Sequence, residues 1–387
     1  MNSDNKAITP AEFPLALFML GMPLILAAYS LSGVVAPANL ESMLITGLAV
    51  TGFLAEPFRN DRHHDLPLWF CVGIPALLIT WISFCSFARF VQPAVDILPY
   101  LLEARPLFHL LVCLLWITMF GLPTPGQISF WACCLALLVC AEFSYSFFGQ
   151  GIALEPCLFG KCPITGPALT AGLCATLCNK DENRLARFII LAGIFCSLNR
   201  DYSLAAVAVL LLFGPGGMLK KSFLVMLLLF FTYVSLIPQD MTLLNRNDLP
   251  VYWVWFSSLE LLARNPALMI AGFPIDVPLP LNIPTSLWNI WHAQHYVWTN
   301  LGLYVFHISP FWLHMLLTWG IGGVALSAAG AAFLYRRYSS DMMAALLITA
   351  AMGGIFSPLF FAPASAIVLI MAFACATRPE VRSFKFE

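Results

Sequence analysis

Two stretches of this 387-residue chain hold side chains suited to an anion. In "CSLNRDYSLAAV", Arg200 stands beside Asp201 at a tight turn between two short apolar runs. A guanidinium fork matches phosphate oxygens, and an ionisable residue at membrane depth marks a functional site. The plain alternative is an interfacial anchor or a local Arg–Asp pair. In "FHISPFWLHMLLTWGIGG", His307 and His314 bracket the start of a long apolar helix. Ser309 is a preferred N-cap and Pro310 a preferred first helical residue. That reading leaves backbone N–H groups and a partial positive charge open to an anion. His307, just outside the helix, can reach a hydroxyl or the anion. His314, one turn inside, is expected to bond a neighbouring helix.

Further candidates lie upstream of His307. Arg246 and Arg264 are basic residues of a long polar-aromatic segment, and Glu260 could act as a general base there. Glu260 also precedes Arg264 by one helical turn, so a pair within one helix is the plain use of both. His292 and His295, in "WHAQHYVW", lack a third ligand beside them, so substrate hydrogen bonding or interfacial packing outranks a metal. Cys157 and Cys162, in "EPCLFGKC", could close a short disulfide if that loop faces an oxidising compartment. The other cysteines sit mostly in apolar runs as small hydrophobes.

The elements that must position these groups are membrane helices. The chain is 60% hydrophobic and only 10% charged, against about 25% charge in a soluble domain. A net charge of −1 excludes nucleic-acid binding driven by net charge. Twelve apolar segments cover about 13–33, 38–55, 67–88, 106–123, 128–148, 164–178, 186–198, 202–216, 222–237, 310–335, 341–357 and 359–376. Several are shorter than the roughly 20 residues a span needs. With the N-terminus in the cytoplasm, Arg89, Arg105, Lys161, Arg200, Arg246 and Arg264 fall outside. The other thirteen of the 19 basic residues fall inside. The positive-inside rule asks for this split. Both termini are then cytoplasmic. Residues 1–237 form nine spans, 238–309 an extracytoplasmic cap, and 310–387 three spans and a tail. Within the cap, "WVWFSSLELLARNP" reads as an amphipathic helix ending before Pro266.

Three of these stretches resemble motifs of the O-antigen ligase and Wzy-type polysaccharide polymerase superfamily. "CSLNRDYSLAAVAVLLLFG" is similar to the family's short arginine turn, with Arg200 at the arginine. "WVWFSSLELLARNPALMIAG" is similar to its loop helix, with Trp255, Pro266 and Gly272 in register. "HISPFWLHMLLTWGIGG" is similar to its late span, with Gly320 and Gly323 at the paired glycines. The family's His–Asn dipeptide falls on Ser309-Pro310, so His307 is the nearest imidazole. Its loop arginine falls near Val251, which makes Arg246 a displaced candidate.

The resemblance implies an all-α, polytopic, GT-C-like fold with about twelve spans and one large periplasmic loop, in a bacterial inner membrane. It implies a glycosyltransferase with no metal and no cofactor. The donor would be a glycan on undecaprenyl pyrophosphate, and a flippase and a chain-length regulator would be partners. Arg200, Arg246, Arg264, His292, His295 and Ser309 would then face the pyrophosphate or the substrate. His307 or Glu260 would take the acceptor's proton.

Overall fold

The computed structural model describes residues 10–34, 37, 40–54, 68–91, 98–149, 158–178, 183–214, 217, 219–227, 251–281 and 303–382. Among them every regular element is a helix, and the only extended pairing is an isolated antiparallel bridge between Leu279 and Leu303. The helices are α1 (Pro10–Ser32), α2 (Leu40–Leu54), α3 (Leu68–Val91), α4 (Leu98–Glu103), α5 (Arg105–Phe120) and α6 (Pro125–Gly149). Next come α7 (Thr165–Ala175), α8 (Arg184–Cys196), α9 (Arg200–Phe213) and α10 (219–227). After them follow α11 (Val251–Arg264), α12 (Pro266–Ala271), α13 (Phe311–Arg337), α14 (Asp341–Gly353) and α15 (Pro363–Ala376).

Each of the twelve apolar runs therefore contains a helix. Pro106, Pro125, Pro266 and Pro363 stand in the first turns of α5, α6, α12 and α15, where a missing N–H costs nothing. Among the described residues three helices are long and apolar enough to cross a membrane: Pro10–Ser32, Pro125–Phe148 and Phe311–Arg337. The shorter ones have a different reason to exist. All of α7 and most of α15 are buried against other helices. A helix wrapped by protein does not have to span lipid by itself.

Small residues make that wrapping possible. A Cβ on Gly172 of α7 would lie 2.1 Å from the Ala132 Cβ of α6, and one on Gly193 of α8 2.6 Å from that of Ala136. Such contacts let helix backbones approach closely.

The long helix α13 is bent at Gly320, whose φ of 62° and ψ of −161° lie where a side chain is not tolerated. The bend releases the Leu317 carbonyl, which accepts a hydrogen bond of 2.5 Å from the Phe273 N–H just past α12. The chain leaving α12 thus repairs the break in α13. The amphipathic helix expected before Pro266 is α11, which ends at Arg264 and buries Val254, Ser258, Leu261 and Leu262 on one face.

Candidate functional site

The site is built around one turn, residues 354–357, after the C-terminus of α14. A helix end leaves carbonyls without partners, and here distant segments supply the donors. The Trp312 Nε1 donates to Ala351 O at 2.8 Å and its backbone N–H to Gly354 O at 3.1 Å. The Phe311 N–H donates to Ser357 O at 3.0 Å. The Trp255 Nε1, from α11, donates to Ile355 O at 2.8 Å. The Ser357 hydroxyl gives its proton to Gly353 O at 2.9 Å, so the Tyr202 hydroxyl, at 2.9 Å, must be the donor to Ser357 Oγ. The first turns of α9 and α13 and the middle of α11 therefore meet on four residues.

This geometry corrects the opening expectation about α13. The N-cap is Pro310, without a side-chain bond, and the helix begins at Phe311. Ser309 is not the cap. The amides of Phe311 and Trp312 are engaged with carbonyls, so this helix start offers no free N–H pair to an anion and Ser309 loses its expected place beside one. The α14 carbonyls supply the negative end that the α13 dipole wanted.

Arg200 is the first residue of α9, in the tight turn expected of it. Asn199 caps the helix, its side chain accepting from the Tyr202 N–H at 3.5 Å. Tyr202 in turn fills the space over Gly166, where a Cβ would come within 2.2 Å of the ring. Leu198 in this turn and Leu359 just beyond residue 357 have φ of 52° and 44°, the two left-handed non-glycine residues among those described. Backbone strain of this kind, about 1–3 kcal/mol per residue, gathers at functional sites.

Trp255, Gly272 and Gly320, picked out by motif, lie at contacts between the loop segment and the helix bundle. A Cβ on Gly272 would lie 2.2 Å from Thr318 O, and one on Gly320 2.2 Å from Ile270 O. The two glycines are pressed together, backbone to backbone. Glu260 and Arg264 take the plain use instead: they pair with each other on the exposed side of α11. Neither is directed at the turn of residues 354–357 by any contact among the described residues. Arg246, His292 and His295 lie outside the described residues.

The histidines divide by environment. His307 closes a single 3₁₀ turn, Val305–His307, and its Nδ1 accepts from the Tyr304 N–H at 3.2 Å. In the neutral ring that bond places the proton on Nε2. His109 is buried, its Nδ1 donating to Phe360 O at 2.9 Å. His314 is buried too, and its Nε2 lies 2.8 Å from the Glu103 Oε2. The other oxygen, Oε1, accepts from Trp319 Nε1 at 3.0 Å. The partner expected for His314 on a neighbouring helix is thus the last residue of α4. Glu103 was absent from the sequence-derived candidates. Its one signal was a lone acid in "YLLEARP", between apolar runs. It lines an apolar cleft of about 410 Å³ between α5, α13 and α15.

Cys162 is buried with a free thiol, which removes the expected bridge. Cys157 lies outside the described residues. No group of three or more His, Cys, Asp or Glu side chains is placed to hold a metal ion among the described residues. No protein-family model matches the chain, and no curated protein and no solved structure matches it either.

Proposed function

We propose that this chain is a GT-C-like membrane glycosyltransferase that polymerises undecaprenyl-pyrophosphate-linked repeat units into a surface or exopolysaccharide. The observation that carries the reading is the convergence on residues 354–357. Segments near positions 200, 255 and 311, singled out by separate motifs, are hydrogen-bonded to one turn. Such gathering is what a single site demands of residues far apart in sequence.

In this reading Arg200 faces the pyrophosphate at the periplasmic surface of a bacterial inner membrane. About twelve spans place both termini in the cytoplasm. An acceptor hydroxyl attacks the donor sugar's C1 as the C1–O bond to pyrophosphate breaks. The electron pair leaves with the pyrophosphate, and the hydroxyl proton passes to a base. A fixed cation beside the departing oxygens stabilises that charge. Glu260 and His307 are the candidates for that base; for His307, the Nδ1 that accepts from the Tyr304 N–H would have to be freed. Transfer of the glycan to lipid A-core would use the same chemistry with another acceptor.

Deletion of the gene, followed by sizing of the lipid-linked glycans, tests the polymerase. Single repeat units should accumulate in place of a ladder; an unchanged ladder rejects it. One observation favours a second reading, a non-enzymatic polysaccharide transporter. The Glu103–His314 pair is an ionisable couple buried inside the bundle, where transporters keep theirs. Accumulation of full-length polymer on the wrong side of the membrane would favour it.

A further inference from the structure

Two cysteines of the apolar runs stand in contact with each other. Cys140 lies on α6, and Cys196 is the last residue of α8. Both are half-buried, and their thiols are hydrogen-bonded to one another across the two helices.

Three successive contacts fix how these helices lie. The Cys133 Sγ donates to Ala186 O at 3.7 Å. A Cβ on Gly193 would lie 2.6 Å from the Ala136 Cβ and 2.7 Å from its Cα. Cys140 then meets Cys196. Residue numbers rise together along both helices, so α6 and α8 run parallel. The Cα atoms of Gly193 and Ala136 are farther apart than 2.7 Å by one bond length at most. A disulfide needs Cα atoms about 4.4–6.8 Å apart. Helices this close at one turn stay within that span at the next, and the thiol contact means that the two side chains already point at each other.

We propose that Cys140 and Cys196 are a redox-sensitive pair that closes to a disulfide, stapling α6 to α8 just before the turn that carries Arg200. Only Ser197, Leu198 and Asn199 separate the bridge from that residue, and Leu198 holds a φ of 52°. The bridge anchors one end of a strained turn. The reaction takes a disulfide as its oxidant. The sulfur of one cysteine attacks it, forming a mixed disulfide and releasing a thiol. The sulfur of the other cysteine then attacks the mixed disulfide; the new S–S bond forms, the old one breaks, and a second thiol leaves. Both cysteine protons and two electrons end on the released thiols. The second attack is intramolecular, which favours bridging over capping. The pair lies toward the helix ends that the topology proposed above sets outside, where disulfides persist; the contact itself does not depend on that topology.

Peptide mass mapping of the full chain in detergent, treated with bis(hydroxyethyl) disulfide and alkylated without reduction, tests it. The peptides holding Cys140 and Cys196 should be recovered linked, two hydrogens lighter than their sum, and dithiothreitol should part them. Bridged chains should outnumber hydroxyethyl-capped ones by about tenfold or more. In Cys140→Ser, Cys196 should be capped and linked to nothing. Recovery of both cysteines free or capped in the unaltered protein overturns the proposal, whether or not the variant folds. A link from Cys196 to any other cysteine overturns it as well.

Discussion

Replacing Gly320 by alanine tests the joint between the loop segment and the bundle. The new Cβ would stand 2.2 Å from Ile270 O and 3.0 Å from Met269 O, both backbone atoms that cannot rotate away. The backbone at φ 62°, ψ −161° is itself open only to glycine. Strain at such a position costs about 1–3 kcal/mol, and overfilling a packed contact costs about 1–3 kcal/mol more. Gly320→Ala should therefore destabilise by about 2–6 kcal/mol. Gly272→Ala, with φ 80° and a Cβ 2.2 Å from Thr318 O, should cost a similar amount. The two share one contact, so the double variant should lose less than the sum. Gly322, two residues along, is the control. A Cβ there meets nothing within 4 Å, and alanine in a helix interior gains about 1 kcal/mol over glycine. Thermal unfolding of the four variants in one detergent reads the order. If Gly320→Ala melts with Gly322→Ala, the docking of α12 on the bend of α13 is wrong.

Trp255→Phe keeps an aromatic ring but removes the indole N–H that reaches Ile355 O. It should cost about 0.5–1.5 kcal/mol, the net worth of one hydrogen bond whose acceptor water can reach, and limited proteolysis should cut α11 faster than in the parent; equal cutting rates would refute the tie. Asn199→Ala removes the cap of α9 and should lower stability by about 1 kcal/mol, seen as a lower melting temperature; Asn199→Asp should restore it. Cys162 should resist maleimide in the folded protein and react after denaturation without reductant. A thiol seen only after reduction would restore the disulfide.

The helices were legible because an apolar run bounded by proline, glycine and charge has few other options. The end of α11 at Arg264 could be read from Pro266 two residues on. The glycines at 272 and 320 could be read as motif positions, but not that they touch, since nothing local records a contact between segments 48 residues apart. The same limit hid Glu103, whose partners His314 and Trp319 lie more than 200 residues away. Ser309-Pro310 misled for a related reason. Cap preferences assume that the first amides of a helix need a nearby side chain. Here carbonyls of Gly354 and Ser357, brought in by tertiary folding, met the need instead. His307 illustrates the same point at the scale of one ring. Its position before the helix was readable, but which nitrogen holds the proton followed only from the Tyr304 N–H.

Arg200 carries the central claim, and purified protein in liposomes with an undecaprenyl-pyrophosphate-linked oligosaccharide tests it most directly. The unaltered chain should lengthen the glycan and release undecaprenyl pyrophosphate in step. Arg200→Ala, folded and at equal abundance, should do neither, and Arg200→Lys should recover little, because a point charge cannot grip two oxygens as a fork does. Glycan lengthened equally by all three proteins, or by none of them, would contradict the account.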